Sequence, residues 1–242
     1  MSLSKSPAGT ATTSAKALDT KALFDQLEHT FGPQQAPWPV EPYAFLIWWH
    51  CGYPASDRAC EKGWNALTKV QGLAPQQLLE ADLKHLAAAL KAGGMVPDLR
   101  ALRLKEIAAR VLQEHQGDLE SSLRSLSASE ARKALRKFPN IGDPGADRIL
   151  LFAGHTATAA VPSNCPHVLV RLSRGKGYEN YGRNYQTAQA MLEAEIPAAL
   201  DARRRAYLLL KALGQQFCKA SKPKCGDCPV AGMCRFAATS CG

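Results

Sequence analysis

The sequence predicts an all-α protein. Three observations carry that expectation. Apolar residues, chiefly Ala and Leu, recur at helical spacing; few segments alternate apolar and polar residues as a half-buried strand would; and Gly, Pro and capping residues divide the chain into about ten helical segments joined by loops of ordinary length. At 242 residues there is length for one large or two small domains with a substantial core.

Residues 1–18 are small, polar and low in complexity, with nothing to bury, and are expected to be disordered. Helical patterning begins near Asp19, with Leu23, Phe24, Leu27 and Phe31 on one face and Gly32 as the stop. The proline-punctuated crossing PQQAPWPVEP follows. Tyr43 to Trp49 reads as an apolar helix buried on most sides, interrupted by Cys51-Gly52-Tyr53-Pro54; Ser56 or Asp57 then caps a helix through Trp64 and Leu67. Leu78 to Leu90 is amphipathic and stops at Gly93-Gly94. Leu99 to Glu114 places Leu102, Ile107, Val111 and Leu112 inward. Leu119 to Leu126 leads to Ser129, a cap for the helix through Leu135. Val168 to Leu172, Tyr185 to Glu195 and Leu200 to Phe217 complete the array.

The formal charge of +9 and pI near 9.2 point to a polyanionic partner, nucleic acid before membrane, or else to a merely solvated basic surface. The basic residues are spread along the chain, which favours a folded binding surface over a sticky arm. Residues 1–19 lack the apolar middle of a secretory signal, and the dense apolar run Phe45–Trp49 is too short to cross a bilayer, so a soluble intracellular, cytoplasmic protein without membrane contact is expected. In that compartment eight cysteines suggest metal binding before disulfides.

Cys218, Cys225, Cys228 and Cys234 give C-x6-C-x2-C-x5-C, with Pro223, Gly226, Pro229 and Gly232 between them. A structural zinc site usually presents two C-x2-C pairs, whereas one close pair with two outlying sulfurs suits the four corners of a [4Fe–4S] cluster; the cluster is expected, with zinc as the other option. Cys51 and Cys60 read as core packing and Cys241 as frayed terminus. Lys219, Lys222 and Lys224 lie between the first two ligands and either balance the cluster's negative charge or present ammoniums to phosphates.

The stretch Phe138–His167 carries the other signal. Asn140 and Gly142 tolerate positive φ, so Pro139-Asn140-Ile141-Gly142 suits a tight turn; Asp143 is a candidate cap, and Pro144 suits the first helical turn before Gly145. Amides exposed at such a helix start form an anion site, which grips a DNA backbone without reading sequence. Asp147 reads as an exposed helix residue.

Together these residues resemble the helix-hairpin-helix DNA glycosylase superfamily, in its iron–sulfur branch that includes endonuclease III. LIWWHCGYPASD looks like the family's first barrel helix and the loop after it, FPNIGDPGADRILLFAG like its hairpin, VLVRL like the helix after the catalytic loop, and the cysteine spacing matches the cluster loop. The resemblance implies a two-lobed, all-α endonuclease III-like fold: a six-helix barrel over 41–156 with the hairpin at 138–146, and a [4Fe–4S] cluster domain from 19–40 and 157–242 with its loop at 218–234. It implies a monomer that binds double-stranded DNA and flips a damaged base for excision. Asn140, Ile141, Gly142 and Gly145 would grip the backbone. Tyr53 would stack into the space left by the base, or else pack on Trp48 or Trp49.

Two departures bear on chemistry. The family's Schiff-base lysine, two residues past the hairpin's last glycine, corresponds to Pro144. Its aspartate, about eighteen residues on, corresponds to Pro162, and registers placing Asn164 or Cys165 there supply no carboxylate either. Asp143, Ser163, Asn164 and His167 are the substitutes at hand, His167 also reading as a surface or capping histidine. A monofunctional glycosylase is expected, with a non-catalytic lesion-recognition protein as the alternative.

Overall fold

A computed structural model describes residues 18–240, so the expected disorder of 1–18 and the place of Cys241 fall, Leu18 apart, outside the described residues. The described chain is helical throughout, without strands. In order it forms α1 (Thr20–Phe31), α2 (Pro42–His50), α3 (Asp57–Thr68), α4 (Pro75–Glu80), α5 (Leu83–Leu90), α6 (Pro97–His115), α7 (Leu119–Arg124), α8 (Ala128–Leu135), α9 (Asp143–Phe152), α10 (His167–Arg174), α11 (Tyr181–Glu195), α12 (Leu200–Gln216) and α13 (Arg235–Ser240). No helix among the described residues is long and apolar enough to cross a membrane.

Local chemistry accounts for the boundaries. Asp19 caps α1 by accepting from Ala22 N, and the Glu41 carboxylate accepts from Tyr43 N and Ala44 N at the start of α2. The predicted helix Leu78–Leu90 is two helices, because Asp82 accepts from His85 N and starts a new one. The cap of α8 is Ser127 and not Ser129: Ser127 and Glu130 form a reciprocal capping box. In α6, Leu102 is exposed and Leu104 takes the inward place, since the helix begins at Pro97 and buries the row Ala101, Leu104, Ala108 and Val111.

Two apolar cores result. The first gathers Phe45, Trp48, Leu67, Leu86, Leu104, Ile107, Leu135, Phe138 and Leu151; the second joins Leu23, Phe24 and Leu27 of α1 to Val161, Val168, Leu169, Tyr185 and Leu213. Helix α12 serves both, giving Tyr207 and Leu208 to the first and Leu209, Leu210 and Leu213 to the second. Trp38, from the proline-rich crossing, wedges into the first core edge-on to Phe152 and Tyr207, at centroid distances of 5.2 and 6.2 Å.

The end of α2 is braced from inside. The buried guanidinium of Arg100 donates to the carbonyls of Leu90 (2.9 Å), Gly94 (2.7 Å), Met95 (2.9 Å) and Cys51. A Cβ at Gly93 would lie 1.8 Å from the Cys51 oxygen, so only glycine lets the chain pass there. His50, fully buried, donates from Nδ1 to Leu46 O at 2.8 Å, and its Nε2 lies 3.5 Å from the Asn140 amide in the hairpin.

Burial holds the His50 imidazole down at about 4, against about 6.5 for an unfolded histidine. Between those values the unfolded chain binds the extra proton, so the contribution of neutral His50 is complete above about pH 6.5 and is lost as pH falls towards about 4. The expected outcome is that the stability gap between wild type and His50→Asn narrows by roughly 3 kcal/mol over that window. Denaturant titrations of both proteins at several pH values measure it; a constant gap would show that His50 takes up its proton equally in the folded and unfolded chain.

Candidate nucleic-acid interface and catalytic cleft

The hairpin is a turn pinned by its apolar side chains. Phe138 and Ile141 are buried, which leaves Asn140 between them on the outside in the left-handed region at φ 55°. The Asn140 side-chain oxygen accepts from Arg103 Nη1 at 2.7 Å and Nε at 3.2 Å, fixing the turn to α6. Gly142 is the cap residue of α9, and Asp143 is the first helical residue, not the cap as expected. Gly142 also departs from expectation in its backbone, at φ −92°. A Cβ there would meet Pro144 Cδ at an ordinary 3.8 Å, so its smallness opens the outer approach to the amides. The Asp143 carboxylate, which would oppose an anion there, is neutralised by Arg136 (3.2 Å) and Arg132 (3.6 Å).

One turn further on, Asp147 is buried, contrary to the exposed position expected. Its Oδ1 accepts from Arg132 Nε (2.7 Å), and its Oδ2 from Arg132 Nη2 (3.0 Å), the Tyr185 hydroxyl (2.6 Å) and Gln189 Nε2 (3.3 Å). The network welds α8, α9 and α11. Burial and the Asp147 charge together push the Tyr185 hydroxyl far above the usual phenol range. The next residue, Arg148, is buried with its guanidinium over the Trp38 ring (3.7 Å) and the Phe45 ring (4.8 Å).

The structure brings together some of the predicted site residues and separates others. Pro144 lies in the first turn of α9 and Pro162 is buried; Ser163 and Asn164 are exposed, and the Tyr181 hydroxyl donates to Ser163 O at 3.0 Å. Burial, then the neighbouring Cys165 and Tyr53, push Tyr181 up to about 12. Tyr53 lies over Trp49 with centroids 4.8 Å apart, so it takes the packing option while remaining half-buried at the cleft. His167 turns away: its Nε2 lies 2.9 Å from Cys218 O, and burial holds its imidazole below the usual range. Asp143 belongs to the hairpin. Ser56 holds the cap position of α3, so Asp57, the other residue the sequence offers there, is the first helical residue, and its carboxylate lies 2.6 Å from Lys211 Nζ of α12, a partner that sequence patterns did not single out.

Cys218, Cys225, Cys228 and Cys234 line one small cavity with Leu172, Leu213 and Val230. Burial raises the Cys228 thiol, and the nearby Cys234 and Cys218 raise it further. Four cysteine sulfurs around one apolar cavity are a donor set for a cationic centre between them. Among the described residues no three His, Cys, Asp or Glu side chains close on a single metal ion. Four sulfurs around one cavity at C-x6-C-x2-C-x5-C spacing fit an iron–sulfur cluster, each cysteine taking one corner and the four together fixing the loop. Arg171 holds that loop from α10, donating to Lys219 O and Ala220 O at 2.8 Å each and to Cys218 Sγ at 3.7 Å. Lys219, Lys222 and Lys224 are exposed on its rim.

Comparison with known proteins agrees with this geometry. Residues 218–234 match the iron–sulfur binding domain of endonuclease III. Endonuclease III of Escherichia coli (strain K12) is 24% identical over 195 residues, which cover 81% of this chain and 84% of that protein. Two plant relatives are far longer, and the aligned region spans 9% and 12% of their lengths. Among solved structures, a non-covalent endonuclease III–DNA complex superposes with a TM-score of 0.71 at 18% identity, over 90% of this chain and 95% of that one. A 3-methyladenine DNA glycosylase of H. pylori bound to 1,N6-ethenoadenine superposes at 0.61 and 18% identity, over 82% and 98%.

If the Asn140 turn is what presents the amides, backbone conformation sets DNA affinity at that point. Asn140→Gly, free to adopt positive φ, is expected to bind duplex within about threefold of wild type. Asn140→Val, β-branched in the left-handed region, is expected to lose about tenfold irrespective of base sequence. Fluorescence anisotropy with two unrelated duplexes measures both; equal affinity for the two variants would remove the turn from the interface.

Proposed function

We propose that this chain, which has the endonuclease III-like helix-hairpin-helix fold and carries that enzyme's iron–sulfur binding domain, is a monofunctional DNA N-glycosylase of base-excision repair. It would bind double-stranded DNA as a monomer inside the cell, flip a damaged or modified base into the cleft and hydrolyse its glycosidic bond without a Schiff-base step. The barrel around α2–α9, residues 41–156, would carry the hairpin. The lobe built from 19–40 and 157–242 would carry the cluster.

One observation carries the monofunctional reading: Pro144 occupies the first turn of the hairpin helix, where a lyase would need an amine. Each working part has a physical role. Asn140, Gly142 and Gly145 would offer backbone amides to a phosphate while Ile141 anchors the turn, its own amide donating to Phe138 O at 3.3 Å; Tyr53 would face the gap left by the base, and Lys219, Lys222 and Lys224 would add charge along the duplex. The cluster, when bound, supplies a rigid anchor for that lysine-bearing loop. His167 and Arg171 hold the loop to α10 through the Cys218, Lys219 and Ala220 carbonyls. Pro162 removes the family's aspartate, and a positioned acid or base is typically worth ~10²–10⁴ in rate. A base that already leaves readily, such as a cationic alkylated purine, fits this cleft best. The same two prolines favour the second reading, a lesion-recognition protein that binds without excising.

A panel of labelled duplexes carrying alkylated, deaminated and oxidised bases separates the two. The expected outcome is base release that leaves an abasic site, strand cleavage only after alkali, and no covalent adduct with borohydride. Tight binding with no product on any lesion would establish the non-catalytic reading instead.

A further inference from the structure

We propose that Asp57, held by Lys211, is the carboxylate that faces the sugar during base excision, doing from the start of α3 what the 161–165 turn cannot do. The proposal rests on the glycosylase reading above.

Asp57 is not spent on its own helix. Ser56 occupies the cap position of α3, and the Asp57 carboxylate reaches across to α12, where Lys211 Nζ lies 2.6 Å from its Oδ2. The two side chains are 21% and 10% exposed, so the pair is sheltered yet reaches solvent. The other carboxylates nearby are committed: Asp143 to Arg136 and Arg132, and Asp147 to Arg132, Tyr185 and Gln189.

The pair also stands beside the turn that holds Pro162. Cys165 N donates to Pro162 O at 3.1 Å, closing that turn, and Cys165 Sγ donates to Leu210 O at 3.7 Å. Gly214, three residues past Lys211 on α12, is packed so tightly that a Cβ there would lie 2.5 Å from the Cys165 Cβ. Residues 210–214 are thus the floor beneath the 162–165 turn, and Lys211 projects from that floor to Asp57. Burial pushes the Cys165 thiol up to about 12, so it offers no anion of its own.

The bond from C1′ to the base nitrogen breaks and its electron pair leaves with the base, so that a cationic alkylated purine departs neutral and the positive charge passes to the sugar ring. Asp57 Oδ1, the oxygen not held by Lys211, opposes that charge. Water adds its oxygen to C1′, its proton passes to the Asp57 carboxylate and then to solvent, and the products are the free base and the abasic sugar. Lys211 is a positioning residue. Its ammonium orients the carboxylate, and the neutral sum of the pair permits burial before substrate arrives.

Binding to two abasic analogues tests this without knowledge of the lesion. A pyrrolidine analogue carries the positive charge of the cationic sugar; a tetrahydrofuran analogue has the same shape without charge. The wild type is expected to bind the pyrrolidine duplex about tenfold or more tightly than the tetrahydrofuran duplex. In Asp57→Asn that preference is expected to vanish while tetrahydrofuran affinity stays within about threefold. Should Asp57→Asn unfold because it orphans a buried ammonium, the double variant Asp57→Asn/Lys211→Met removes both charges and is expected to lose the preference equally. A preference that survives in either folded variant, or one absent from the wild type, overturns the proposal and leaves the pair as an inter-helix brace. The two failures are distinguishable. Base release with an Asp57-independent preference removes only this inference, whereas an Asp57-dependent preference without base release on any lesion removes the glycosylase reading and the excision role with it, leaving Asp57 as a contact to a cationic sugar.

Discussion

The carboxylate of Asp147 is the constraint on which the rest of this architecture depends. An ionised group taken out of water is tolerated only where charge and hydrogen bonds replace hydration. Here the replacement comes from Arg132 of α8 and from Tyr185 and Gln189 of α11. Arg132 also reaches Asp143 one turn earlier, so one guanidinium fixes the two helices of the hairpin against each other. Tyr185 belongs to the second core, so the same carboxylate fixes the hairpin relative to the cleft. The angle at which the exposed amides meet a phosphate is therefore set from below, by α9 and its partners, as well as by the turn.

Much of this was legible in the sequence wherever the signal is local. Four cysteines within 218–234 constrain their own loop, and Asn140 between two apolar anchors announces a left-handed residue, so both features emerged with their chemistry attached. The cap of α8 was legible too, since Ser127 and Glu130 have capping-box spacing, but Ser129 competes with it on composition alone. Asp147 was not legible. It follows Asp143 at helical spacing, as a solvated face would, and its burial is created by groups 15 and 38 residues away. Arg171 and Lys211 belong to the same class: their partners lie on loops and helices that only the tertiary fold brings near.

Charge shows the same division between composition and place. A formal +9 suggests a uniformly cationic surface, yet Arg100, Arg148, Arg203 and Lys211 are interior. Arg100 ties together four backbone carbonyls, and Arg148 fills an aromatic box around Trp38. Guanidinium suits these places because its planar fork satisfies several acceptors at once and stacks on rings. Beside the hairpin, Arg136 and Lys137 are ion-paired with Asp143 and Glu114, whereas the three lysines on the cluster-loop rim are exposed.

These internal braces bear on where chemistry can sit. The 162–165 turn packs onto α12 through Cys165, with no space at Gly214 even for a methyl group. A larger or charged side chain at Cys165 would displace α12 and with it both cores. The hairpin helix is equally committed, since Pro144 lies between two aspartates already engaged with arginines. With both of those walls fixed by packing, a group that acts on the sugar must come from an element that reaches the cleft without bearing the core. The start of α3 meets that condition. Asp57 projects past its own cap, its one short contact is an ammonium rather than backbone, and exchanging it for a neutral isostere disturbs no apolar packing.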